Sequence, residues 1–291
     1  MSVYPVIISQ MKFVHRDSLN YPFEERGLQF GDGVYEVIRI YSGQYYLLDE
    51  HVDRLFRSAE AIKIELTFTK EECREYLLEL LKRNKMDVDG KVYLQVTRGS
   101  ATRDHVFPAD TPANIYAYVV KVPRPLGKLA NGVGTITHPD VRWDYCYIKS
   151  LNLLPNVLAK QEAKENNCYE AILHKDGVVT ECSSSNVYLV KDGKIYTHPS
   201  SKNILHGCVR MRIEQFAKDL NIPFIEEPFT IGGIEDADEL FLSSSTSEVL
   251  PIVTVDDLTI NGGTPGPITK KLQETYEKDA QITGAEPATS K

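Results

Sequence analysis

The sequence predicts an α+β protein of two domains, on three observations. Before residue 123 the apolar pattern runs strand, helix, helix, strand. Two prolines then interrupt regular structure within Val122–Gly127. Beyond that break, strands and helices alternate too irregularly for a βαβ series. The expected division is a smaller α/β domain over 1–122, a linker over 123–127, a larger mixed β domain with flanking helices over 128–285, and a flexible tail at 286–291.

Taken in order, Val34 to Tyr41 and Gln44 to Leu48 read as strands around a Ser42-Gly43 turn, which is a hairpin signal. Asp49 is placed to cap the next helix, which carries Val52, Leu55, Phe56, Ala59 and Ile62 at helical spacing and leaves Arg54 and Arg57 on a polar face open to a ligand. Thr69-Lys70-Glu71-Glu72 has the form of a capping box, and Tyr76, Leu77, Leu80 and Leu81 continue a second amphipathic helix. Val92 to Thr97 and Ile115 to Lys121 supply the returning strands. After the linker, strands are expected at Gly134 to His138, Tyr169 to His174, Asn186 to Val190, Phe224 to Glu227 and Leu240 to Ser243, with helices at Asn156 to Asn166, Cys208 to Leu220 and Ile268 to Lys278.

Composition narrows the function classes. A chain of 291 residues can bury a real core, and its net charge of −8 offers no broad cationic surface to a nucleic acid backbone. Apolar runs such as Ile115 to Val120 are strand-length, far short of the roughly 20 residues that span a bilayer. The start, Met1-Ser2-Val3-Tyr4-Pro5, lacks a signal-peptide pattern, so a cytoplasmic location is expected. The five cysteines, Cys73, Cys146, Cys168, Cys182 and Cys208, have no metal-finger spacing and read as reduced thiols, so no metal is expected. Neither a GxGxxG nor a Walker loop occurs.

Two segments carry the chemical signal: Tyr147-Ile148-Lys149-Ser150-Leu151-Asn152 and Thr180-Glu181-Cys182-Ser183-Ser184-Ser185-Asn186. Lys149 follows an aromatic and apolar alternation that suits a partly desolvated lysine at a strand end, where burial favours the free amine. Glu181 follows a strand and precedes a serine turn. Singly, these also describe a surface lysine and an exposed turn acid. Together they suggest pyridoxal phosphate, which needs a lysine to form a Schiff base with its aldehyde and a carboxylate to keep its ring nitrogen protonated. Lys160 is the competing lysine, but its helix places it on a solvated face. Arg54, the helix start Gly207-Cys208-Val209-Arg210 and the run Ser243 to Ser247 could bind a phosphate through charge, backbone N–H groups and hydroxyls.

From Arg26 to Tyr276 the chain resembles the fold-type IV pyridoxal-phosphate aminotransferases, and among them the bacterial D-amino acid aminotransferases. The resemblance rests on Arg26-Gly27-Leu28-Gln29-Phe30-Gly31-Asp32-Gly33-Val34-Tyr35-Glu36, Glu50-His51-Val52-Asp53-Arg54-Leu55, Lys149-Ser150-Leu151-Asn152 and Glu181-Cys182-Ser183-Ser184-Ser185-Asn186. It implies that Lys149 is the Schiff-base lysine and proton shuttle, and that Glu181 faces the pyridine nitrogen. It further implies that Arg54, Ser185, Cys208, Val209 and Ser245 hold the phosphate, with Leu205 packed on the ring. Val209 stands where a hydroxyl-bearing residue is expected and Cys182 where glycine is expected, which alters a side-chain hydrogen bond and the cavity shape.

The same resemblance implies that Tyr35, with Arg103 and His105 contributed by a partner subunit, traps the substrate α-carboxylate in a homodimer. The implied reaction is transamination between D-amino acids, of the D-alanine and D-glutamate type, and 2-oxo acids such as 2-oxoglutarate or pyruvate. A branched-chain L-amino acid aminotransferase, an aminodeoxychorismate-lyase-like enzyme or an amine transaminase on the same fold are the alternatives, with a non-catalytic cofactor-binding protein more remote.

Overall fold

The computed structural model describes residues 3–282, and the chain there forms two compact units. One takes in the chain up to Arg124 together with Asp140–Glu162 and Ser200–Cys208; the other takes in Pro125–Pro139, Ala163–Pro199 and the chain from Val209 onward. The two-proline stretch therefore contains the first crossing, but the units are not contiguous in sequence. The expected tail at 286–291 lies outside the described residues.

The first unit is built on a six-stranded sheet of β1 (Val6–Ser9), β2 (Lys12–His15), β3 (Gly33–Tyr41), β4 (Gln44–Tyr45), β5 (Gly90–Thr97) and β6 (Asn114–Lys121), in the order β2-β1-β6-β5-β3-β4. Its helices are α1 (Arg26–Phe30), α2 (Leu48–Ala61) and α3 (Lys70–Arg83). Strand alternation divides the side chains between the two faces. Val34, Ile38 and Ile40 of β3 and Val92, Leu94 and Val96 of β5 share a buried cluster with Val52, Leu55 and Ala59 of α2 and Leu77 and Leu80 of α3. The opposite face is aromatic: Tyr35 stacks on Tyr93 at 5.8 Å, and Tyr93 meets Tyr118 at 5.5 Å.

The capping box forms as expected, with Thr69 Oγ1 accepting from the Glu72 N–H and the Glu72 carboxylate accepting from the Thr69 N–H. Asp49 does not cap α2: Leu47, in a left-handed conformation, occupies the cap position, and Asp49 sits in the first helical turn, where its carboxylate pairs with Arg74. A negative charge there still favours the helix through its dipole.

The second unit holds a nine-stranded sheet: β7 (Val133–Pro139), β8 (Glu170–Lys175), β9 (Val178–Cys182), β10 (Asn186–Lys191), β11 (Lys194–Tyr196), β12 (Phe224–Ile225), β13 (Glu239–Ser244), β14 (Glu248–Val255) and β15 (Leu258–Thr259). The order is β12-β11-β10-β13-β14-β7-β8-β9, with β15 paired to β14. Helix α4 (Leu126–Asn131) precedes β7; α5 (Leu154–Glu165) and α6 (Cys208–Asp219) each carry the chain from the first unit into the second; α7 (Pro267–Asp279) packs along β13 and β14. The α7 amino terminus has no cap of its own. Glu239 of β13 substitutes, accepting the Ile268 and Thr269 N–H groups at 2.8 Å each. The missing Cβ of Gly266 leaves room for that carboxylate, since a Cβ would lie 2.0 Å from Glu239 Cδ.

Candidate active site

In the first unit the lysine segment is fixed by the end of β3. The Tyr35 N–H donates to the Lys149 carbonyl at 2.9 Å and the Leu151 N–H donates to the Gly33 carbonyl at 3.0 Å, so residues 149–151 run beside the strand as an irregular edge. Ile148 sinks into the first-unit core, a burial that stabilises by about 1.5–3 kcal/mol and anchors its neighbour. The Lys149 N–H donates to Ser58 Oγ at 3.2 Å. Lys149 is thus half-buried in an irregular segment beside β3 rather than at the end of a strand of its own.

The glycines of the Gly31-Asp32-Gly33 motif make this approach possible. Gly31 ends α1 at φ 65°, a left-handed conformation that favours glycine, and a Cβ on it would meet Asn152 Oδ1 at 2.7 Å. A Cβ on Gly33 would lie 2.5 Å from the Val96 carbonyl oxygen and 2.8 Å from Leu151. Backbone contact at that distance cannot relax without moving a strand.

Lys149 Nζ lies 3.4 Å from the Tyr35 hydroxyl and 4.4 Å from the centre of its ring. The phenol gives the amine an oriented hydrogen-bond partner and the ring face attracts its charged form.

On the other face of β3, Glu36 points at α2. Arg54 donates to it through Nε at 2.7 Å and Nη2 at 2.8 Å, and His51 Nδ1–H donates to the same carboxylate at 2.7 Å. Glu36 is wholly buried, and Arg54 and His51 nearly so. The expectation of Arg54 on an open polar face is therefore corrected: it lies inside, because β3 supplies a buried carboxylate that apolar periodicity along α2 does not reveal. Burial pushes the Glu36 carboxyl up, but the Arg54 guanidinium and His51 outweigh it and hold the group far below its ordinary range. Burial pulls His51 down, yet Glu36 and Cys208 beside it leave it raised above 6.5. The remaining Arg54 nitrogen, Nη1, donates to the His206 carbonyl at 3.0 Å, two residues ahead of α6. Cys208, the first residue of that helix, is buried and hydrogen-bonded to His51. Leu205 is half-buried on the approach to α6.

Arg103 and His105 lie on the exposed loop between β5 and β6. They meet at Phe30, with the Arg103 guanidinium 4.8 Å and the His105 ring 5.5 Å from its centre.

In the second unit Glu181, on β9, is buried rather than an exposed turn acid, and the Asn186 amide donates to it at 3.0 Å. The serine turn that follows is organised by Glu170 of β8. Ser184 Oγ donates to it at 2.7 Å, Ser185 Oγ at 3.0 Å, and Ser183 Oγ also donates. The Ser185 side chain, expected at a phosphate, is thus directed to a carboxylate. Cys182, whose effect on a cavity was open, belongs to the core cluster with Val179, Val187 and Leu242. Val209 is buried in the first turn of α6, where the first N–H groups have no partner within the helix and attract an anion. Ser245 is half-buried in the turn between β13 and β14.

Sequence reasoning did not single out Glu36, His51 or Glu170. His51 stands three residues before Arg54, which puts both on one helix face, and that spacing is a usable signal. Glu36 and Glu170 have no local signal, because their partners lie on other elements.

Residues 33–255 match the amino-transferase class IV family, and the chain belongs to it. Enzymes of this class depend on pyridoxal phosphate, and this chain is such a transaminase. The chain is 46% identical over 268 residues to the D-alanine aminotransferase of Staphylococcus aureus (strain N315), covering 92% of this chain and 95% of that one. It is 46% identical to the D-alanine aminotransferase of Bacillus licheniformis, covering 91% and 94%. Among solved structures, the branched-chain aminotransferase of the thermophilic archaeon Thermoproteus uzoniensis with norvaline aligns at a TM-score of 0.87 and 25% identity, covering 97% of this chain and 96% of that one. The architecture is that of fold-type IV.

The chemistry of the residues present suits the cofactor in each unit taken by itself: the first has an amine held against a phenol and a buried arginine that reaches the His206 carbonyl, and the second has a buried carboxylate at Glu181.

Proposed function

We propose that this enzyme transfers the amino group of a D-amino acid, of the D-alanine or D-glutamate type, to a 2-oxo acid such as 2-oxoglutarate or pyruvate, in two half-reactions. The observation that carries the stereochemical reading is the convergence of Arg103 and His105 on Phe30, which presents a guanidinium and an imidazole side by side to a carboxylate. The D-alanine aminotransferases at 46% identity support it. A branched-chain L-amino acid substrate is the second reading, supported by fold likeness at 25% identity.

Pyridoxal phosphate supplies the electron-withdrawing ring that makes a proton on the substrate α-carbon removable. Lys149 would bind the cofactor through Nζ and would move that proton at the same atom. Tyr35, 3.4 Å from Nζ, orients the amine and joins Arg103 and His105 in fixing the carboxylate. Glu181, held by Asn186, would face the pyridine nitrogen and stabilise its protonated form. Arg54, the backbone of Cys208 and Val209, and Ser245 would hold the phosphate, and Leu205 would pack on the ring. Val209 contributes only its backbone donor.

The active unit is a homodimer in which Arg103 and His105 complete the partner's site. Supporting this, the loop that carries them also exposes Val106 (72%) and Phe107 (53%), apolar surface that a second copy would cover. The described residues include no helix long and apolar enough to cross a membrane, and the five cysteines are present as thiols, which suits the reducing cytoplasm.

The purified enzyme should absorb visible light through its bound cofactor, D-alanine or D-glutamate should bleach that band, and Lys149→Ala should lack it. Persistence of the band in Lys149→Ala would overturn the assignment of Lys149.

A further inference from the structure

The loop that bears Arg103 and His105 is exposed, yet four of its residues are gripped by one buried cluster. Asp32, between the two motif glycines, accepts Arg26 Nε at 2.9 Å and Arg98 Nε at 2.8 Å on one oxygen and Arg98 Nη2 at 3.1 Å on the other. Both arginines are buried, at 3% and 8% exposure. Arg98 is also tied down by the carbonyls of Ile62 and Lys63, at 2.7 and 2.8 Å. Each arginine then turns to the loop. Arg26 Nη1 donates to the Asp104 carbonyl at 2.7 Å, at the residue that separates Arg103 from His105. The Arg98 guanidinium lies 3.6 Å from the centre of Phe107. Phe30, at the end of α1, receives Arg26 and Arg103 at 4.8 Å each and His105 at 5.5 Å.

We propose that Phe30, Asp32, Arg26 and Arg98 are positioning residues for substrate binding: a brace that sets the spacing of Arg103 and His105 and so the geometry of the carboxylate trap. The proposal rests on the reading of Arg103 and His105 as that trap. A flexible loop would lose conformational entropy each time a substrate carboxylate drew the Arg103 and His105 side chains together. The brace removes that loss beforehand. Asp32 fixes both guanidinium planes, the Asp104 contact fixes the backbone between the two trap residues, and the Phe30 ring fixes their side chains.

The test uses the holoenzyme with Phe30→Leu, Phe30→Tyr, Asp32→Asn, Arg103→Ala and the Phe30→Leu/Arg103→Ala double variant. The readouts are cofactor occupancy, Tm, KM and kcat for D-alanine, and calorimetric affinity for propionate as a non-reacting carboxylate. Phe30→Leu is expected to keep its cofactor, raise the KM for D-alanine and weaken propionate by roughly five- to tenfold, and change kcat less than twofold. Phe30→Tyr should restore both values to within about twofold, since the aromatic face is retained. The double variant should lose clearly less than the sum of the two single penalties, because Phe30 acts partly through Arg103 and otherwise only through His105. An unchanged KM in Phe30→Leu, or penalties that add in the double variant, overturns the brace while the trap stands. Equal losses of Tm, cofactor and kcat in Phe30→Leu, without rescue by tyrosine, assign these residues to folding and also overturn it. If Arg103→Ala itself leaves KM and propionate affinity unchanged, the trap fails and the brace with it. Asp32→Asn, where it folds, should behave as Phe30→Leu does.

Discussion

Glu36→Gln is the substitution whose cost follows most directly from the geometry. The carboxylate is fully buried and accepts three charge-assisted hydrogen bonds, from Arg54 Nε, Arg54 Nη2 and His51 Nδ1. An amide of the same shape keeps one acceptor oxygen but turns an NH₂ group toward donors, and it leaves the Arg54 charge buried without a counter-charge. Breaking a buried pair in this way costs about 3–5 kcal/mol, which at about 2–4 °C per kcal/mol for a domain of this size is a Tm loss of roughly 6–20 °C. Because Glu36 also orients Arg54 toward the entry of α6, cofactor affinity should fall with stability. The assay is thermal melting of the apoprotein by near-ultraviolet circular dichroism, with cofactor titration alongside. Removing both charges in Glu36→Gln/Arg54→Met should recover part of the lost Tm, since neither ion is then stranded. A Tm within about 2 °C of the parent for Glu36→Gln alone would show that the buried Glu36–Arg54 pair carries no such cost.

Two further outcomes follow from the same site. Gly33→Ala forces a Cβ to 2.5 Å from the Val96 carbonyl, so it should displace the Lys149 segment and lower kcat by more than about tenfold; an active variant with normal kcat would show that the close approach is not required. The Glu36–His51 pair should also shape the pH dependence of apoprotein stability. Glu36 is depressed below its ordinary 4.5, so its contribution is present above that pH and lost as pH falls toward its folded value. His51 is raised above 6.5, so its contribution is full below 6.5 and lost as pH rises through its folded value. A Tm profile from about pH 2 to 9 should show both slopes flattened in Glu36→Gln, and a profile parallel to the parent would contradict this assignment.

The elements legible in the sequence are those with local chemistry. The Ser42-Gly43 hairpin, the Thr69–Glu72 capping box and the stripes of α5, α6 and α7 are written in neighbouring residues and form close to where they are expected. The β1–β2 hairpin was not legible because its turn uses Gln10 and Met11 at φ 52° and 55°, without the glycine or asparagine that signals such a turn. Strand β14 is masked by Pro251, which reads as a break within an otherwise apolar run. Lys149 and Glu181 stand in motifs that are readable in the sequence. The burial of Arg54 is not, since it depends on a carboxylate on another element, and the direction of the Ser183–Ser185 hydroxyls depends on Glu170 across the sheet. Pairwise polar contacts between elements leave no periodic trace, whereas backbone turns and apolar faces do.

Donor stereochemistry decides whether the substrate is a D-amino acid. With 2-oxoglutarate as acceptor, initial rates should be measured for D- and L-alanine and D- and L-leucine, and with pyruvate as acceptor for D- and L-glutamate. Turnover of the D-series, with D-alanine or D-glutamate ahead of D-leucine and the L-series far slower, is the predicted result; turnover of the L-series alone would contradict it.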